Sequence, residues 1–164
     1  MMTPSTVRQL PEIWFGKKVS LSGWLGIIGF RCVLYDKPIG PWSEEQALNA
    51  YHRGILVRFP GLVWALEASS RIMYGGLTWE IKGVRVNGVF RRSTVDSHHW
   101  MIDEVEELEY LEGSRRRESA PQIITPEYIR QCAQERVESA KRNAIALPEL
   151  FPVIAVFESE ATEW

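Results

Sequence analysis

Two stretches of the chain repeat one pattern of apolar and polar positions. Val19-Ser20-Leu21-Ser22-Gly23-Trp24-Leu25 and Val84-Arg85-Val86-Asn87-Gly88-Val89-Phe90 both alternate and then place a glycine before two apolar residues. Alternation with period two is the signature of a half-buried strand. A glycine inside such a strand marks a bulge or a bend. The pattern predicts a first strand over 18–26, a turn at Gly26-Ile27-Ile28-Gly29, and a second strand over 30–36. After Ser43-Glu44-Glu45, a helix start, a short helix is expected over 43–51. A third strand over 54–59 ends at Pro60-Gly61, and a short helix over 62–73 is stopped by Gly75-Gly76. The fourth strand spans 78–91. Thr6 to Ile13 reads as a lead-in, a turn of helix ended by Pro11.

The segment 99–111 is ambiguous. Ile102, Val105, Leu108 and Leu111 recur at every third residue, which suits a helix slightly better than a flat strand. A bulged strand gives the same spacing, and a barrel requires a fifth strand here, so a strand is predicted. Residues 113–122 have the composition of a linker. Thr125-Pro126-Glu127 is a helix start, with a capping residue, a proline and an acid in order. That helix is expected to reach about Ala144, with Ile129, Cys132, Ala133, Val137 and Ala140 on its apolar stripe. Pro148 and Pro152 interrupt the tail, where Val153 to Phe157 reads as an added strand or a docked segment.

The stretch Gly16-Lys17-Lys18-Val19-Ser20-Leu21-Ser22-Gly23-Trp24-Leu25 resembles the opening strand of the anticodon-binding OB (oligonucleotide/oligosaccharide-binding) domains of aspartyl-type tRNA synthetases. With Val84 to Phe90 as the fourth strand, the likeness to an OB barrel covers residues 15–112 at the level of fold. The expected class is mainly β with added helices: a five-stranded OB-like Greek-key barrel, a helix between strands 3 and 4, and a C-terminal helical extension. The expected organisation is a barrel with its lead-in over 1–112, a linker over 113–122, and a helix and apolar tail over 123–164. That tail would pack on the barrel or on a partner.

Charge adds a second layer. Residues 1–92 hold 12 Lys and Arg against 6 Asp and Glu, while residues 93–164 hold 7 against 15. The halves therefore carry +6 and −8, within a total of −2. Either the first half presents an anion-binding surface, or the acidic half folds back and neutralises it. The sequence pI of about 6.0 favours the second. No apolar run is long enough to span a bilayer, and the N-terminus lacks the layout of a secretory signal, so a cytoplasmic protein without a membrane partner is expected. Cys32 and Cys132 read as buried thiols.

The OB likeness implies a ligand surface on strands 2 and 3. It would draw on Arg31, Val33, Tyr35, Leu56 and Arg58, with Trp24 beside them and Arg91 and Arg92 on the approach to strand 5. Aromatic rings among arginines suit single-stranded nucleic acid, since rings stack on bases and guanidinium groups meet phosphates. The competing reading places Trp24 and Tyr35 under the C-terminal extension, with Arg31 and Arg58 paired to its carboxylates; the acidic tail favours it. Trp42, in a proline-rich loop, is the best candidate for an exposed anchor, because interfaces favour tryptophan.

Asp96, His98, His99 and Asp103 carry metal-ligand chemistry, but on a strand the two histidines face opposite sides, so no metal is expected. Phosphate loops, Gly-x-Ser-x-Gly and His-Glu-x-x-His are missing from the sequence. The acidic run from Asp103 to Glu109 reads as a solvated face. The expectation is a non-enzymatic binding module without a cofactor, acting on another protein as an inhibitor or immunity-type protein. The alternative is a single-stranded nucleic-acid binder using strands 2 and 3.

Overall fold

The structure, a computed structural model, describes residues 1–36, 43–70, 78–146 and 164. Two short helices, α1 (Pro4–Gln9) and α2 (Pro11–Trp14), lead into strand β1 (Lys18–Ile28). Pro11 starts the second helix rather than closing a single one, because a ring with fixed φ and no N–H fits a first helical turn. Strand β2 (Arg31–Tyr35) returns antiparallel, with Ile28 opposite Arg31. The turn is therefore only Gly29-Phe30, tighter than the four-residue turn expected from sequence. Gly29 has φ +61, which a short hairpin turn demands at its first position.

Helix α3 (Glu44–Arg53) opens with a capping box. Ser43 Oγ accepts from Gln46 N at 3.2 Å, and Ser43 N donates to the Gln46 side chain at 2.9 Å. Strand β3 (Ile55–Val57), helix α4 (Leu62–Ser69), strand β4 (Thr78–Arg92) and strand β5 (Trp100–Tyr110) follow. A short strand β6 (Ile123–Ile124) then pairs with the end of β5, and α5 (Pro126–Ala146) completes the described chain. Thr125 caps α5 through its hydroxyl, which accepts from Tyr128 N at 3.2 Å.

Strand pairing closes a five-stranded barrel. β1 lies between β2 and β4, β2 pairs with β3, and β4 pairs with β5, all antiparallel. β3 then meets β5 in parallel through Leu56 opposite Met101 and Val57 opposite Ile102. The class expected from sequence is the one observed: mainly β, an OB-like barrel, with α4 between β3 and β4 and a helix after the barrel. Helix α4 ends at Ser69, where Ser70 turns extended and bridges to Arg116, so it stops short of the expected 73; Gly75-Gly76 lies outside the described residues. So does Val153 to Phe157.

Both glycines of the repeated pattern stand where strands change register. At Gly23 the pairing passes from Gly23–Val84 to Leu25–Ile81, so Lys82 and Gly83 together face Trp24. A Cβ on Gly23 would lie 2.5 Å from the Tyr35 carbonyl oxygen. At Gly88 the pairing passes from Asn87–Glu107 to Val89–Asp103, leaving three residues of β5 arched over one glycine. A Cβ there would sit 2.6 Å from Ile102 Cγ2 and 2.8 Å from the Asp103 carbonyl oxygen. Glu104, in the arch, has φ +48. This bulge is why Ile102, Val105 and Leu108 all reach the core despite their spacing of three.

Leu21, Leu25, Leu34, Ile55, Val86 and Phe90 fill the barrel. α4 extends this core with Leu62, Val63, Ala65 and Leu66, and α5 adds Ile129 and Cys132. Gly61, with φ +81, lets α5 come close, since a Cβ there would be 2.7 Å from Ile129 Cγ2. The segment 113–122 is fastened beside α4, with Arg117 N donating to Ser69 O at 2.9 Å and Ser70 bridged to Arg116.

Candidate functional site

Alternation along β2 sends Cys32 and Leu34 into the barrel and Arg31, Val33 and Tyr35 to its outer face. Pairing then lines up Val33 with Leu56 and Leu56 with Met101 across β2, β3 and β5. These three outward side chains are sealed, with exposures of 0%, 0% and 1%. Their cover is Tyr51 from α3, Val95 from the loop between β4 and β5, and Trp164 from the C-terminal segment. Gly54 lets the end of α3 reach this face, because a Cβ there would stand 2.1 Å from Val33 Cγ1.

Arg31 stands at the rim of this second apolar cluster. Its guanidinium carbon is 5.0 Å from the centroid of the Trp164 ring, a cation–π contact. His98 is buried beneath the same rim, and Tyr51 meets it edge-on at 5.4 Å. Its Nε2 lies 3.1 Å from the Tyr51 carbonyl, and its Nδ1 lies 2.9 Å from Ser97 Oγ. A carbonyl only accepts, so Nε2 carries the proton and Nδ1 accepts from the serine. Burial holds the His98 pKa below its ordinary value; the Tyr51 carbonyl opposes this, and nearby His52, Arg31 and His99 add to it.

The remaining predicted residues separate into three places. Trp24 and Tyr35 form a patch along β1 and β2, with ring centroids 6.4 Å apart and Lys82 Nζ 4.9 Å from the centre of the Trp24 ring. The Tyr35 hydroxyl donates to the Glu80 carboxylate, and burial, reinforced by Glu80, raises its pKa. Arg58 faces Asp103 at 3.8 Å, a carboxylate of β5 rather than of the tail. Arg91 pairs with Glu104, while Arg92 is exposed and has no ion pair among the described residues. Trp42 lies outside the described residues.

The acidic run of β5 is a ladder across the barrel wall. Lys18 pairs with Glu106, Asn87 donates to Glu107 at 2.6 Å, and Arg85 pairs with Glu109 at 2.9 Å. The last two are cross-strand pairs of β4 and β5, while Lys18 reaches Glu106 from β1, across β4. The acidic second half thus neutralises part of the basic first half within one sheet. Asp96 and His99 are exposed, His98 points inward, and Asp103 belongs to Arg58, so those four residues do not converge.

Tyr51, Val95 and Met101 escaped the sequence reading, and Trp164 stood out in it only as one of several tryptophans suited to an interface. One signal was present: Val33 is an apolar residue on the outward face of β2, between Arg31 and Tyr35, and such a residue requires a cover. Nothing in local sequence names the cover. Among the described residues no helix is long and apolar enough to cross a membrane. The chain is an OB-like barrel whose β2–β3 face is occupied by its own side chains. Comparison with protein-family models, with curated proteins and with solved structures yields no match.

Proposed function

We propose that this protein is a non-enzymatic OB-fold binding module that acts through a protein partner, in the manner of an inhibitor or immunity protein. One observation carries the reading: Arg31 and Arg58 beside the β2–β3 face, and Arg91 at the end of β4, are engaged by this chain. Arg31 lies on Trp164, Arg58 faces Asp103 and Arg91 pairs with Glu104. A binder of single strands relies on arginines that meet phosphate and release counterions. Here the face between them is the sealed apolar triplet Val33, Leu56 and Met101. The partly exposed rings of Tyr51 and Trp164 over that triplet, with Trp24 on β1, suit another protein better.

The test pairs two measurements on the full chain. Tagged protein is used to capture partners from host extract treated with nuclease, and any captured protein is purified and reconstituted at defined stoichiometry. Labelled single-stranded oligonucleotides are titrated at about 50 and about 200 mM salt. The reading expects a stoichiometric protein complex and no tight oligonucleotide binding. Micromolar oligonucleotide binding that weakens steeply with salt, or capture of no stoichiometric protein, overturns it.

A further inference from the structure

Trp164 occupies the outer face of β2, β3 and β5 as a bound side chain would. Its ring packs on the cluster of Val33, Leu56 and Met101, beside Tyr51 and Val95, with Arg31 at its face. These contacts involve one residue held by dispersion, a methionine and one cation–π interaction. Such contacts order a side chain without locking it in place. The sequence before Trp164 carries Glu158, Glu160 and Glu163, and no Lys or Arg follows Arg142. The cation at the rim is Arg31, and the ring of His52 stands beside it, 6.3 Å from that of the buried His98.

We infer that the β2–β3 face is a recognition slot for an acidic segment bearing a tryptophan, contributed by a partner protein, and that Trp164 fills it in cis. The inference rests on the protein-binding reading above and names the partner chemistry of that face. A nucleobase is the weaker occupant. Bases are read through hydrogen bonds at their edges, and the floor of this slot is two aliphatic side chains and a thioether. Trp164 belongs to the same chain and competes for the face intramolecularly, so a partner segment binds the intact chain more weakly than a chain without the plug.

The probe is a labelled synthetic peptide, Glu-Ser-Glu-Ala-Thr-Glu-Trp, the sequence of residues 158–164, titrated into full-length wild type and full-length Trp164→Ala. Trp164→Ala should bind the peptide at least about tenfold more tightly than wild type. Replacing the peptide's tryptophan by alanine should abolish binding, and adding Arg31→Ala to Trp164→Ala should weaken it. The inference is overturned if Trp164→Ala keeps its circular dichroism yet binds no more tightly than wild type. It is also overturned if the opened slot prefers a single-stranded oligonucleotide to the peptide, or if the wild type is a dimer that Trp164→Ala dissolves, which would make a second copy the occupant. Should Trp164→Ala fail to fold, wild type labelled with 5-fluorotryptophan serves instead. Excess peptide should then move the Trp164 fluorine resonance, assigned with Trp164→Phe, to its solvent-exposed position, and an unmoved resonance overturns the slot. If a captured protein binds wild type and Trp164→Ala equally, the slot fails while the protein-binding reading stands.

Discussion

Arg31 sets its guanidinium 5.0 Å from the ring centre of Trp164, joining the start of β2 to the far end of the sequence. Trp164 is half-buried and packs on the sealed triplet, so Trp164→Ala should lower unfolding free energy by about 1–2 kcal/mol. Arg31→Ala should cost less. The double variant should lose less than the sum of the singles, with a coupling of about 0.5–1 kcal/mol measured by urea denaturation. Strict additivity would show that the two side chains do not interact in solution.

Gly88 and Gly16 should respond differently to alanine. A Cβ on Gly88 meets Ile102 Cγ2 at 2.6 Å and backbone at 2.8 Å, within the fully packed arch of β5. The backbone cannot yield without undoing the bulge, so Gly88→Ala should cost about 3 kcal/mol. At Gly16 nothing lies within 4 Å, and the penalty comes only from its φ of +75. Gly16→Ala should cost about 1 kcal/mol. Denaturant midpoints of the two variants check the order.

Cys32 lies inside the barrel, 1% exposed, and burial pushes its thiol up to about 12. A thiolate is the reactive species, so native Cys32 should resist a disulfide reagent at about pH 8. Its labelling rate should follow the population of the unfolded chain across a urea series. Rapid labelling in the absence of denaturant would contradict its place in the core.

His98 predicts a loss of stability on the acid side. Burial depresses its folded-state pKa below the unfolded value, so near and below about pH 6.5 the unfolded chain takes up the proton more readily. Its contribution is complete above that pH and declines as pH falls towards the folded value. His98→Gln keeps hydrogen-bonding groups but does not titrate, so its stability should fall less steeply from about pH 7.5 to about pH 5. Equal slopes in thermal melts of the two proteins would remove His98 as the cause.

The tyrosine at the end of β5 ties the barrel to α4. Tyr110 is 2% exposed, and its hydroxyl lies 2.6 Å from Ser69 Oγ. Tyr110→Phe leaves Ser69 bonded to the Ala65 carbonyl, so the expected cost is that of one buried neutral hydrogen bond, about 1 kcal/mol. A loss several times larger would mean that the phenol supports more than this junction.

Much of the barrel was legible because its determinants are local. Alternation assigns faces along β1 and β2, glycine permits close backbone approach, and Ser43 and Thr125 announce their helices through their own hydroxyls. The spacing of three in β5 was open locally, since a helix and a bulged strand produce it alike. Gly88 across the sheet, small enough to sit beneath the arch, decides in favour of the strand. The charge asymmetry likewise had two readings, and the folded barrel selects the one in which Lys18, Arg85 and Arg91 meet the carboxylates of β5, only Arg85 through direct cross-strand register.

What the sequence determined by itself is the order of the five barrel strands with α3, α4 and α5, and the faces of β2, because backbone periodicity and side-chain caps act over a few residues. What only the tertiary structure decided is who covers the outer face. Arg58 meets Asp103 rather than the tail, and Val33 finds Tyr51, Val95 and Trp164. Those partners come from distant elements whose meeting depends on barrel closure, and hydrophobic burial, being non-directional, leaves no local mark of which apolar residue will supply it.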